Sequence, residues 1–262
     1  MPIRFFRKLL SGQRQDSPRG GVPSRAALPA GLRVYAIGDI HGRLDRLLEL
    51  EERVRDDLTA RPTTQAMAIY LGDYVDRGVN SRGVLDYLLT ADRDGLERRF
   101  LRGNHEETML EYLDNPDLIR SWKKYGGLET LFSYGVDVRP LMRGEGSEKA
   151  HADFRAAFPA EHQAFLEGLA PILTIGDYCF VHAGVRPGVP IERQVPADLL
   201  WIREEFLGHQ GDFGKVVVHG HTPVDEPMWL PNRVNVDTGA YLTGRLTAAV
   251  LEGEDVGFIT VG

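Results

Sequence analysis

Apolar residues along the chain fall into two repeating arrangements. Short runs at 33–37, 66–71, 99–101, 178–181, 216–218 and 233–236 are bounded by glycine and polar residues, as buried strands are. Two further runs, 246–251 and 256–261, flank Gly253 and predict a closing hairpin. Between the runs the spacing turns helical. Leu44, Leu47, Leu48 and Leu50 line a predicted helix over 43–57, and 84–89 repeats the pattern. Strands alternating with helices predict an α/β fold, with helices covering a sheet.

Two stretches depart from that alternation. Residues 106–170 carry helical patterns at 106–113, 118–124, 128–134, 152–157 and 161–169, with Tyr125-Gly126-Gly127 as a helix break that could border a groove. They predict a helical insertion beside the sheet. Residues 186–214 are rich in Pro, Gly and charge and predict a long loop, a kind of segment that often carries function. At the start, residues 11–31 are dominated by Ser, Gly, Pro and Arg, without apolar periodicity. The expected organisation is a flexible basic tail and linker over 1–31, then one folded domain over 32–262.

Composition narrows the function. A chain of 262 residues with 42% hydrophobic and 26% charged residues suits an ordinary globular domain. A net charge of −7 speaks against a general nucleic-acid binder, although metals and a few arginines could still hold an anionic substrate. The single cysteine, Cys179, excludes an intramolecular disulfide, fits a reducing, cytoplasmic setting and reads as a small core residue. No run approaches the roughly 20 apolar residues of a membrane span. The opening MPIRFFRKLL lacks the features of a secretory signal and reads as a tail, with weak basic contact to a partner or anionic surface as the sharper reading.

The chemistry is concentrated where predicted strands end. Asp39 and His41 sit in Gly38–Gly42, Asp73, Asp76 and Arg77 in Gly72–Gly78, and Arg102, Asn104, His105 and Glu106 around Gly103. His182-Ala183-Gly184 and His219-Gly220-His221-Thr222 follow later strands. In α/β folds such carboxyl ends are where sites assemble. Two aspartates, an asparagine and three histidines offer oxygen and imidazole ligands without thiolate. That set suits Mn²⁺, Fe or Zn²⁺ and is too rich in nitrogen for Ca²⁺. Any one Asp-Gly or Asn-Gly cluster could be an ordinary turn; five in this order are a specific signal.

The GDIHG, GDYVDRG, RGNHE, HAG and GHT series resembles the phosphoprotein-phosphatase branch of the calcineurin-like metallophosphoesterases, over about 32–262. The resemblance implies a four-layer αββα sandwich, two mixed sheets flanked by helices, and a centre of two divalent ions, Mn²⁺ first. It implies that Asp39, His41 and a bridging Asp73 hold one ion, and that Asp73, Asn104, His182 and His221 hold the other. It implies His105 as general acid, Asp76 as the carboxylate that orients it, and Arg77, Arg102 and Arg203 as a phosphate clamp. Arg203 rests on the local match Leu200–Glu204. His219 reads as a supporting residue, because Pro223 stands where the Gly-His-x-His pattern of related enzymes has its second histidine. Glu106 is expected to brace its loop, His151, His162 and His209 to lie on the surface, and Trp122 and Trp201 to pack.

The substrate is less defined. The complete DYVDRG and LRGNHE motifs point first to a bacterial or phage-type Ser/Thr protein phosphatase, with phosphotyrosine activity also open. HAG in place of HGG, and the end of the chain just after the last strand, depart from the eukaryotic enzymes. The alternative is a hydrolase of dinucleoside polyphosphates similar to diadenosine tetraphosphatases, whose adenine would need an aromatic slot from Tyr74, Tyr241 or Trp201. A nuclease is disfavoured by charge. A relative that binds phosphorylated partners without turnover is the reading from a different class, and the intact ligand set argues against it.

Overall fold

The computed structural model describes residues 26–90 and 96–262. It contains two five-stranded mixed sheets. The first runs β10-β9-β1-β2-β3, from β1 (Leu32–Ile37), β2 (Gln65–Tyr70), β3 (Glu97–Phe100), β9 (Leu246–Glu252) and β10 (Asp255–Val261). The second runs β4-β5-β6-β8-β7, from β4 (Ile172–Ile175), β5 (Tyr178–Val181), β6 (Val216–His219), β7 (Met228–Leu230) and β8 (Arg233–Asn235).

Side-chain alternation explains how the sheets stack. Successive strand residues face opposite sides. In β1, Val34 and Ala36 point between the sheets, where they meet Ile69, Phe180, Val218, Val234 and Leu251. Tyr35 and Ile37 point outward, into the core built with α1 (Leu44–Ala60) and α2 (Ser81–Thr90). In β5, Tyr178 and Phe180 face the first sheet, while Cys179 and Val181 face away. Each sheet is thus apolar on both sides, and both outer faces are covered by helices, giving the expected αββα layering. Cys179 is fully buried in the outer layer, a core residue as read from the sequence.

The helical insertion is present. It comprises α3 (Asn104–Asp114), α4 (Ile119–Trp122), α5 (Gly127–Ser133), α6 (Arg139–Met142), α7 (Ser147–Ala157) and α8 (Ala160–Glu167). Its apolar faces join the core outside the first sheet through Met109, Trp122, Leu131, Phe154 and Leu166.

Three expectations need correction. Residues 186–214 are not a plain loop. They form α9 (Pro196–Trp201) and α10 (Glu204–Leu207), and Leu199, Ile202, Phe206 and Phe213 cover the outer face of the second sheet. Strands β4 and β7 went unpredicted; both are short and partly exposed. The linker does not run to residue 31. Leu28 is buried between the sheets and its N–H donates to Gly253 O, while Ala27 N–H donates to Asp177 Oδ2. The rest of the proposed tail, residues 1–25, lies outside the described residues. Among the described residues no helix is long and apolar enough to cross a membrane.

Candidate metal centre and active site

The loops after β1, β2, β3, β5, β6 and β8 converge at one end of the sandwich. Among the described residues, five non-glycine residues have positive φ, and all belong to these loops: His41 (45°), Asp73 (54°), Asp76 (70°), Arg77 (66°) and His221 (64°). The left-handed region costs an L-residue about 1 kcal/mol or more. Packing that holds five such residues, every one a predicted site residue, marks this end of the molecule as the functional one. Close approach is part of the same design: a Cβ on Gly103 would collide with the Asp73 carboxylate.

Glu106 fastens the loops together. It is fully buried and accepts N–H groups from Gly103 (2.9 Å), Asp73 (2.8 Å), Tyr74 (2.7 Å) and Val75 (3.3 Å). Its bracing role agrees with the sequence reading.

Among the described residues, two three-residue groups could hold a metal: His41, Asp73 and His105, and Asp73, His182 and His221. Within each, the ligand atoms lie within 4.8 Å of one another. Asp73 belongs to both. His41 donates Nδ1–H to Val75 O (2.8 Å) and His182 donates Nδ1–H to Leu71 O (3.0 Å), which leaves each Nε2 as an acceptor aimed inward. His182 Nε2 then faces Asn104 Oδ1 at 2.9 Å, His221 Nδ1 at 3.1 Å and Asp73 Oδ1 at 3.4 Å. Lone pairs crowding one point are the arrangement a cation relieves, and the residues therefore fit a metal. Burial holds His41 down at about 3 and lowers His182, so both rings stay neutral, as ligation requires.

Asp39 sits one step aside. Its carboxylate accepts the His221 N–H at 3.1 and 3.2 Å, and it belongs to neither three-residue group. Beside it lies Asp237, which the sequence reading missed. Asp237 is 2% exposed, lines the cleft and is pushed up to about 6, first by burial. Burial, then Asp237 and Asp73, also raise Asp39. This buried negative charge is a second feature that calls for cations. The signal for Asp237 was present: Asp237-Thr238-Gly239 follows β8 as the other clusters follow their strands.

His105 falls in the first group, but its Nε2 stands 3.8 Å from Asp73, while its Nδ1–H donates to Asp76 Oδ2 at 2.6 Å. Burial opposes charge on the ring, but the Asp73 and Asp76 carboxylates outweigh it and hold the imidazole up at about 9. Arg77 and Arg203 line a cleft of about 260 Å³ over the metal residues. Tyr241 holds Arg77, with its Oη 2.6 Å from Nη1 and its ring centre 4.4 Å from Cζ.

Other assignments come out differently. Arg102 bonds to Glu107 (3.0 Å) and the Glu167 carbonyl (2.9 Å) and does not line the cleft with Arg77 and Arg203. Tyr74 is fully buried with its hydroxyl on Leu101 O, and it cannot meet a nucleobase. Trp201 is 52% exposed at the mouth of the cleft, not packed inside, and Tyr125 joins it there at 56%. His162 is buried between Tyr134 and Asp86, not on the surface; His151 and His209 are half-buried. His219 is buried against Phe206 and outside both donor groups.

A two-sheet sandwich with His and Asp side chains clustered beside cleft arginines at one end is the arrangement of a phosphoester hydrolase. The chain belongs to the calcineurin-like phosphoesterase family, whose sequence model matches residues 32–259. It is 26% identical over 232 residues to the bis(5′-nucleosyl)-tetraphosphatase PrpE [asymmetrical] of Anoxybacillus flavithermus, covering 81% of this chain and 87% of the relative. The Bacillus subtilis protein of that name is 26% identical over 231 residues, covering 80% and 87%. Among solved structures, a chain provisionally assigned as a diadenosine tetraphosphatase superposes with a TM-score of 0.59 at 21% identity, covering 89% and 99%. A cold-active protein tyrosine phosphatase also gives 0.59, at 16% identity, covering 89% and 81%. At those identities the structural likeness speaks for the fold alone.

Proposed function

We propose that the protein is a metal-dependent hydrolase of dinucleoside polyphosphates that cleaves its substrate asymmetrically. The observation that carries this reading is the likeness to asymmetrical bis(5′-nucleosyl)-tetraphosphatases over 81% of the chain. It favours the second of the two substrate classes left open by the sequence over a Ser/Thr phosphoprotein. Trp201 and Tyr125 support it, since exposed aromatic faces beside a phosphate site suit nucleobases. Of the aromatic residues near the site, Trp201 faces the cleft, Tyr241 pairs with Arg77 and Tyr74 is buried away from it.

Asp39, His41, Asp73, Asn104, His182 and His221 would hold two divalent cations, with Mn²⁺ the first choice for this donor set. When bound, such ions supply Lewis-acid charge at the phosphoryl oxygens and a nucleophile from water at neutral pH. Arg77 and Arg203 bind phosphate oxygens through planar forks of N–H donors. His105, protonated through its carboxylate partners, delivers the proton from Nε2 to the departing oxygen. Asp76 keeps the opposite nitrogen protonated and the ring aimed. Trp201 and Tyr125 set the base ends of the substrate.

Hydrolysis of diadenosine tetraphosphate in ¹⁸O-labelled water tests the cleavage pattern. ATP and AMP, with the label in one of them, are expected. Two molecules of ADP would contradict the asymmetric reading.

A further inference from the structure

Asp76 is held by more than its histidine. Trp122 Nε1–H donates to the same oxygen, Oδ2, at 2.7 Å, beside the 2.6 Å bond from His105. Thr130 Oγ1–H donates to Oδ1 at 2.6 Å, while the Asp76 N–H is shared between Thr130 Oγ1 (2.9 Å) and Ser81 Oγ (3.0 Å). Every member of this network is buried. Trp122 ends α4 and Thr130 lies in α5, so the two donors come from one short stretch of the helical insertion.

The residues between them close onto the same loop. Gly126 has φ of 100° and its carbonyl accepts the Arg77 N–H at 3.3 Å; a Cβ there would run into the Arg77 backbone. A Cβ on Gly127 would run into the Trp122 indole. The indole is wedged from behind by Tyr112, with ring centres 4.8 Å apart. The stretch 122–130 therefore grips Asp76 and Arg77 at three points.

We propose that this stretch is a positioning clamp for proton delivery, with Trp122 and Thr130 as positioning residues. A carboxylate bound only by His105 could rotate about its Cβ–Cγ bond and carry the imidazole with it. With Oδ1 fixed by Thr130 and Oδ2 by Trp122, the carboxylate plane is set, and Nε2 of His105 has one direction left. Misplacing such a group by a fraction of an ångström costs rate only where a proton must be delivered. The inference rests on the reading of His105 as general acid.

The leaving-group dependence of hydrolysis separates a positioning role from a merely structural one. Metal-loaded wild type, Trp122→Phe, Thr130→Val, Thr130→Ser and His105→Asn are compared on substituted phenyl phosphates, from dinitrophenyl to unsubstituted phenyl. Metal content is measured alongside. Trp122→Phe and Thr130→Val are expected to hydrolyse the best leaving group within about twofold of wild type and the poorest about 10-fold or more slowly, with Thr130→Ser restoring the wild-type slope. Thr130→Val nearly preserves shape, which guards against failure of the tryptophan variant to fold. Slopes parallel to wild type in both variants, with a steep slope in His105→Asn, would overturn the clamp alone. A wild-type slope in His105→Asn would overturn the general-acid reading, and the clamp with it.

Discussion

At the scale of single residues, strain and burial converge on the same few side chains. His41, Asp73, Asp76, Arg77 and His221 all adopt left-handed backbone, and all but Arg77 are buried. Such residues persist only where the surroundings over-determine them. Asp73 shows why: its carboxylate lies 3.5 Å from His41 Nε2 and 3.4 Å from His182 Nε2, so both donor groups depend on it. Asp73→Asn is expected to lose both bound metal and activity, as measured by metal analysis of the purified variant; full metal occupancy would refute the bridging role. His105→Asn should separate the two properties. Turnover on the dinucleotide should fall about 10²-fold or more while metal content stays at the wild-type level. The aromatic pair answers to a different assay. Trp201→Ala and Tyr125→Ala should each raise KM for diadenosine tetraphosphate about 10-fold, since stacking on a base is worth about 1–3 kcal/mol, and leave phenyl phosphate hydrolysis nearly unchanged. An equal effect on both substrates would remove the nucleobase role.

At the scale of elements, the strands that place the site were most legible where both faces are buried. Tyr178–Val181 is apolar throughout, and one face meets the first sheet while the other meets α9 and α10. Phe180→Ala, a cavity between the sheets, should cost about 3–5 kcal/mol, read from denaturant unfolding, with the ligand residues untouched. A loss below about 1 kcal/mol would mean that the sheets do not share a core there. What the sequence hid follows equally physical lines. The α9–α10 layer looked like loop because Pro, Gly and charge dilute its apolar residues, yet Leu199, Ile202 and Phe206 lie on one side. Arg102 follows β3 as its neighbours do, but Glu107 one helical turn on is the nearer charge and draws it away. Trp122 was expected to pack and does, while its indole N–H also meets Asp76, a contact 46 residues distant in sequence that no local pattern announces.

At the scale of the whole molecule, the fold concentrates buried ionisable groups at one end and makes stability depend on pH and metal. His41, His162, His182, His219 and His221 are all held below the ordinary histidine value, first by burial. The folded state binds these protons more weakly than the unfolded chain. Their stabilisation is therefore present above the unfolded value of about 6.5 and lost as pH falls below it. His105 runs the other way: its stabilisation is complete below about 6.5 and lost as pH rises through about 9. Asp39, Asp237 at about 6 and Glu106 at about 8, all raised first by burial, run with His105, so the two sets oppose each other near neutral pH and the five histidines prevail only below about pH 6, where Tm should drop. Chelation should lower it further, because Asp39, Asp73 and Asp237 then face one another without a cation. A Tm that is flat in pH and indifferent to chelator would contradict this account of the buried charge. The most direct test of the central claim is kinetic. The protein is stripped with chelator, restored with Mn²⁺, and assayed for initial rates on diadenosine tetraphosphate and on a phosphothreonine peptide. The account predicts faster cleavage of the dinucleotide, absent in the stripped sample and regained with the metal. Faster turnover of the peptide would contradict the substrate assignment, and full activity in the stripped sample would contradict the metal mechanism itself.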